Sequence, residues 1–292
     1  MFLENISLND YSSYRIGGEA KYFFVAKTKK DLITAIKKAK QESLEFFILG
    51  GGSNILFSDK GFDGLIIKLE LNDIEVRGDS IYAQAGVALR DLVNTALDND
   101  LTGLEWATGI YGTIGGAIRG NAGAFNKYMS ENVESVEYLD TNDLQIKEIK
   151  DYDSDYRNSY FKKNKNLIIL SAIFRLKKGV DKKEMDRIMK YRQERHPLEY
   201  PSVGSVFKNI PINILDIKQF RDLGYVPAGY LIEQAGLKGK VIGGAQISEK
   251  HANFIVNINN AKAQDVLDLI NLIKKTILEK YKIKMNEEIV IL

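Results

Sequence analysis

With 292 residues, 41 of them basic and 39 acidic for a formal charge of +2, the chain is long enough for two or three domains and offers no net-charge argument for binding nucleic acid. It has no cysteine and only two histidines, His196 and His251; this excludes disulfides and thiolate zinc sites, and leaves a histidine-rich metal centre or a Ser-His-Asp triad little to draw on. No apolar run approaches the roughly 18 residues of a membrane span, and Glu4 and Asp10 stand where a leader would be basic, so the expectation is a soluble cytoplasmic protein with no membrane attachment, no metal and no inferable protein partner.

In chain order, Thr28 reads as the N-cap of a helix with Leu32, Ile36 and Ala39 on one face, followed by an apolar strand over Phe46 to Leu49. That strand empties into Gly50-Gly51-Gly52-Ser53-Asn54, a tight turn of small residues. From Ile74 the pattern changes to short strands, Ser80 to Ala85, Val133 to Leu139 and Leu167 to Leu176, with a helix over Val87 to Leu97 striped by Leu89, Leu92, Val93 and Ala96. A second subdomain is expected to begin there. A helix-like stretch over Asp181 to Arg195 precedes all four prolines, at 197, 201, 211 and 227, which mark a boundary or an irregular functional segment. A long amphipathic helix then follows, with Asn260 as candidate cap and Val266, Leu267, Ile270, Ile273, Ile277 and Tyr281 at helical spacing. Glu287 to Leu292 reads as a last apolar strand entered through a carboxylate.

Glycine is the most informative residue type. Six of the 24 glycines, at 109, 112, 115, 116, 120 and 123, fall within fifteen residues, where an even spread would place about one. Glycine costs entropy in a regular element, so this density is better spent on backbone N–H groups wrapped around an anion. Together with the turn at 50–54 it suggests a cradle for a diphosphate. The P-loop fingerprint is absent, because Asn54-Ile55 and Ala117-Ile118 stand where Lys-Ser/Thr is required, and so is the dinucleotide G-x-G-x-x-G with its distal acid. Taken alone, the polar residues have plain readings. Ser205 would be a turn serine, with no nucleophile elbow since no glycine follows it; Arg157 would be exposed or ion-paired, Lys208 solvated, and Glu288 a surface carboxylate.

The ordered series Ser13-Tyr14-Arg15-Ile16-Gly17-Gly18, Leu49 to Leu56, the 109–124 glycine segment ending Asn121-Ala122-Gly123-Ala124, Tyr156-Arg157-Asn158-Ser159, Gly204-Ser205-Val206-Phe207-Lys208-Asn209, Ala228 to Gly239 and Lys250 to Asn257 resembles the UDP-N-acetylenolpyruvoylglucosamine reductases over nearly the whole chain. The resemblance implies an α+β fold: a two-subdomain FAD-binding region of the vanillyl-alcohol-oxidase type plus an α/β substrate-binding domain. The implied boundaries are 1–70, to which a strand at 286–292 returns, then 71–178, then 190–285. It further implies non-covalent FAD, NADPH as hydride donor and a UDP-sugar substrate reduced in peptidoglycan precursor synthesis. Tyr14, Arg15, Gly50, Gly51, Gly52, Ser53, Asn54, Gly109, Gly112, Thr113, Gly115, Gly116, Ala117, Asn121, Ala122 and Gly123 would bind the cofactor, and Tyr156, Lys208 and Asn209 the substrate. Ser205 would protonate a carbanion, Arg157 would stabilise an enolate, and Glu288 would orient or relay the proton.

Tyr111, Ile210 and Glu287 stand where the family commonly has proline, and the last leaves open a one-residue shift between Glu287 and Glu288. His251 and Asn253 are read as structural or as the edge of the pocket. The modest length resembles the shorter family subtype, which lacks an extra substrate-covering loop. Two alternatives stay open: another FAD-linked oxidase or dehydrogenase of an alcohol or sugar on the same scaffold, and a nucleotide-binding regulatory module without turnover.

Overall fold

The Thr28 hydroxyl accepts the Asp31 N–H at 3.0 Å and the Asp31 carboxylate accepts the Thr28 N–H at 2.9 Å, so a reciprocal capping box starts the helix Lys29–Gln41 at the expected place. Its Leu32, Ala35, Ile36 and Ala39 are buried. The computed structural model describes residues 1–292 and divides into two units. The first comprises Met1–Ile6, Ala20–Gly51 and Asp63–Arg192; the second comprises Ser7–Glu19, Gly52–Phe62 and Gln193–Leu292.

The first unit is built on two sheets. One has the order Leu3–Ser7, Glu19–Ala26, Phe62–Leu69, Phe46–Leu49, with the last pair parallel. The other is antiparallel throughout, in the order Gln145–Ile149, Val133–Asp140, Leu167–Arg175, Ser80–Gln84, Ile74–Arg77. Leu167–Arg175 is the central strand, and its run Leu167-Ile168-Ile169-Leu170 is buried without alternation, as a strand covered on both faces requires. The helix Leu89–Asp98 buries the expected stripe of Leu89, Leu92, Val93 and Ala96 into the same core.

In the second unit the helix Ala263–Tyr281 buries Val266, Leu269, Ile270, Ile273 and Ile277 in one core with Val206, Phe207, Leu231 and Ile255. A three-stranded antiparallel sheet, Val241–Ile242, Ala245–Ile247 and Ile255–Asn257, belongs to this unit, and Val290–Ile291 pairs in parallel with Ile55–Leu56. The expected cap Asn260 does not cap this helix. It takes a left-handed φ of 47°, and the helix begins three residues later. Its first N–H groups are met by Asp59 instead, whose carboxylate accepts from Ala263 at 2.8 Å and Gln264 at 3.0 Å. The architecture is α+β, and no helix is long and apolar enough to cross a membrane.

Candidate functional site

The two glycine segments meet backbone to backbone inside the first unit. A Cβ on Gly51 would lie 2.9 Å from Gly112 Cα, and one on Gly50 would lie 2.6 Å from Thr113 Oγ1. A Cβ on Gly115 would lie 2.9 Å from that of Ala85. Packing of the chain on itself therefore explains these three glycines. Gly116 and Gly120 are different: a Cβ on Gly116 would meet only Thr113 Oγ1 at 3.7 Å, and one on Gly120 nothing within 4 Å. No protein atom requires glycine at either, which leaves room for a ligand beside the helix Ile114–Gly120. Thr113 Oγ1 is itself buried with no hydrogen-bond partner, the state expected of a group whose partner is a ligand. The segment thus fits a bound dinucleotide.

Past this helix, Asn121 takes φ 42°, and Ala122 is held by its N–H to Ala117 O and its carbonyl to the Met129 N–H, both 2.8 Å. The Asn121 side chain donates to Asp155 O at 3.0 Å and accepts from the Ser130 N–H at 3.1 Å. Asp155 ends the first strand of a hairpin, Ser154–Asp155 with Asn158–Ser159, whose two-residue tip is Tyr156-Arg157. Arg157 occupies the left-handed region at φ 55°, a conformation a long side chain adopts only when its surroundings impose it. They do impose it. Its guanidinium donates to Gly123 O at 3.0 Å, its own carbonyl accepts from Lys162 Nζ at 3.0 Å, and it lies 5.2 Å from the Tyr156 ring centroid. The expected catalytic arginine and the expected cofactor residues Asn121 and Gly123 thus form one local structure.

In the second unit the segment Val206–Lys208 pairs with Asn286–Glu288. The Lys208 N–H donates to Asn286 O at 2.9 Å, the Glu288 N–H donates to Val206 O at 2.8 Å, and Phe207 faces Glu287 across the pair. Glu287 carries an ion pair to Lys274 at 2.8 Å. Ser205, Lys208 and Glu288 are each half-buried, and Ser205 bridges Phe254 on its other side. The same unit holds the end of the first glycine turn. Gly52 O accepts the Ser13 N–H at 3.0 Å, Asn54 O accepts the Val290 N–H at 2.9 Å, and Asn54 Nδ2 donates to Glu288 O at 3.3 Å. Asn209 Oδ1 accepts the Ala228 N–H at 3.1 Å. Tyr14 is fully buried with its hydroxyl unpartnered, burial raising its pKa, while Arg15 takes φ 54°. Ser53 is half-buried.

Sequence reasoning missed two groups, Lys68 and Arg192. Lys68 donates to Gly50 O, orienting the first glycine turn, and burial lowers its pKa. Asn253, read as structural or as the edge of the pocket, has a structural role: its amide accepts the Phe207 N–H at 3.0 Å and donates to Phe207 O at 2.9 Å, clamping the strand that carries Ser205. Arg192 is 8% exposed and packs on Gly109. Only Asn253 lay in a quoted motif; each of the three is recognised by a partner distant in sequence.

Residues 196–292 match the C-terminal domain model of UDP-N-acetylenolpyruvoylglucosamine reductase, and residues 20–148 match an FAD binding domain. The UDP-N-acetylenolpyruvoylglucosamine reductase of Clostridium novyi is 41% identical over 290 residues, covering 98% of this chain and 90% of the relative. That of Fusobacterium nucleatum is 38% identical, with 98% of both chains covered. The crystal structure of the reductase from Thermus caldophilus superimposes with a TM-score of 0.82 at 28% identity, covering 100% of this chain and 99% of the other. With the whole length accounted for by sequence and fold, the chain belongs to the UDP-N-acetylenolpyruvoylglucosamine reductase family.

Proposed function

We propose that the chain reduces UDP-N-acetylglucosamine enolpyruvate to UDP-N-acetylmuramate, with NADPH as reductant and FAD as non-covalent cofactor, as a cytoplasmic step of peptidoglycan precursor synthesis. In this reading residues 1–70 and 71–178 serve the cofactor, residues 190–285 serve the substrate, and the strand at 286–292 returns to the first of these. When bound, FAD supplies the hydride that NADPH delivers to it.

The protein's own residues do the rest. The planar Arg157 guanidinium meets the substrate carboxylate and lowers the cost of the negative charge that builds as the unsaturated acid becomes an enolate. The Ser205 hydroxyl gives its proton to the adjacent carbon; a weak acid suffices because a carbanion is a strong base. Glu288 orients that hydroxyl and relays the replacement proton. Lys208, Asn209 and Tyr156 hold the nucleotide sugar, and the glycine segments with Tyr14 and Arg15 hold the cofactor.

The observation that carries this reading is the pairing of Val206–Lys208 with Asn286–Glu288, which sets the serine segment beside the terminal carboxylates. The test is steady-state NADPH oxidation by the purified protein with and without the enolpyruvyl nucleotide. Oxidation that depends on the nucleotide is expected. Oxygen consumption driven by an alcohol or sugar, with no response to the nucleotide, would overturn the assignment.

A further inference from the structure

One turn of the second unit carries the serine segment. Asn253 O accepts the Val206 N–H at 2.8 Å, the Asn253 side chain brackets Phe207, and Phe254 faces Ser205 across an antiparallel bridge. Asn253 is fixed in its turn by His251, whose Nδ1 accepts the Asn253 N–H at 3.2 Å, the bond that an Asn or Asp side chain makes to the N–H two positions on. Ser248, 3% exposed, accepts the Lys250 and His251 N–H groups at 3.2 Å each, and the Phe254 N–H closes on His251 O at 2.9 Å. The imidazole is seated in this place. Its centroid lies 4.8 Å from that of Phe254 and 5.5 Å from that of His196, and a Cβ on Gly229 would come within 3.2 Å of its Cε1, so glycine at 229 leaves the space that the ring fills.

A ring nitrogen that accepts from an N–H must present its lone pair, and in imidazolium both nitrogens carry protons instead. Protonation therefore sets two N–H groups against each other at the Asn253 backbone. The surroundings favour the neutral ring: burial lowers its pKa, Lys238 and Arg195 act in the same direction, and Glu233 opposes them. Lys238 and Glu233 are paired with each other at 3.1 Å, Lys250 is paired with Glu199 at 3.1 Å, and His196 is the neighbouring titratable ring. We propose that His251 is a positioning residue for proton transfer: as an acceptor at Nδ1 it fixes Asn253, and through Asn253 it fixes the segment Ser205–Phe207. This rests on the assignment of Ser205 as proton donor. The consequence is selective, because the bond serves the step in which the substrate is protonated and not the delivery of hydride to the flavin.

Two variants separate the acceptor from the ring. His251→Phe keeps a ring and removes the acceptor, whereas His251→Asn keeps an acceptor at the same branch position that takes up no proton. In rapid mixing, His251→Phe should slow flavin reoxidation by the enolpyruvyl nucleotide roughly 10-fold, the scale of one lost hydrogen bond at a buried N–H, with flavin reduction by NADPH within about twofold of wild type. His251→Asn should restore reoxidation to within about threefold of wild type. Hydrogen exchange over 203–210 in the flavin-free protein should follow the same order, faster in His251→Phe than in His251→Asn. As the pH falls from about 7.5 to about 5, the range in which imidazoles titrate, reoxidation should decline more steeply in wild type than in His251→Asn. Wild-type reoxidation in His251→Phe, equal losses in both half-reactions, no rescue by His251→Asn, or identical pH profiles for wild type and His251→Asn would each overturn the proposal. Should His251→Phe not fold, the pH comparison decides alone. Ser205→Ala in the same assay keeps the two readings apart: if it reoxidises at the wild-type rate, the proton-donor assignment falls and this inference with it, whereas a slow Ser205→Ala beside a fast His251→Phe removes only the role of His251.

Discussion

Replacing Asn253 by alanine tests whether one buried amide holds the strand that carries Ser205. Asn253 is 3% exposed and Phe207, whose backbone it clamps at 3.0 and 2.9 Å, is 1% exposed. The substitution orphans a buried N–H and a buried C=O, at about 1–3 kcal/mol each. Taking about 3 kcal/mol for the pair, the local opening equilibrium rises roughly 100-fold. Hydrogen exchange resolved by peptide should show this acceleration over 203–210, and over 286–291 because the Glu288 N–H bonds to Val206 O. The strand Ser80–Gln84 of the other unit should not change. Because Ser205 lies two residues before Phe207, Asn253→Ala should also slow flavin reoxidation by the enolpyruvyl nucleotide while leaving flavin reduction by NADPH near wild type. Exchange over 203–210 within about threefold of wild type would refute the clamp. An opened strand with undiminished reoxidation would refute its link to proton transfer.

Three further outcomes are expected. Ser205→Ala should slow flavin reoxidation roughly 10²- to 10⁴-fold, the usual effect of losing a general acid, with flavin reduction retained; rapid mixing separates the two, and equal losses in both would indicate a folding or cofactor defect instead. Glu288→Gln should bind both nucleotides yet be slow in the same half-reaction, whereas Glu287→Gln should lose only the Lys274 pair; the reverse pattern in rapid mixing would shift the assignment by one residue. Asp140 accepts bonds from the Asn142 N–H, Lys147 and Asn166, which lower its pKa from 3.8 to about 2. A depressed carboxylate stabilises the fold above its unfolded pKa and loses that contribution as pH falls through the folded one, so the melting-temperature gap between wild type and Asp140→Asn should close between pH 4 and 2, and a gap constant over that window would contradict the assignment.

What the sequence made legible was what neighbours in the chain decide. Thr28 and Asp31 lie three residues apart, so the capping box could be read directly, and the apolar run Phe46–Leu49 has the expected bounds. Asn260 was plausible on the same local grounds, but the N–H groups it would have met are taken by Asp59, 204 positions away. A side chain with favourable local chemistry loses to a distant carboxylate that the fold delivers. The glycines repeat the lesson in a form that bears on function. Composition marked both segments as places of close approach, yet it gave Gly51 and Gly116 the same meaning. Only the atoms around each Cβ position separate a glycine that another strand of backbone demands from one that no protein atom demands. The contacts that hold the candidate residues in place lie at long sequence separation: Gly123 O accepts from Arg157, and Asn253 clamps Phe207, two residues from Ser205.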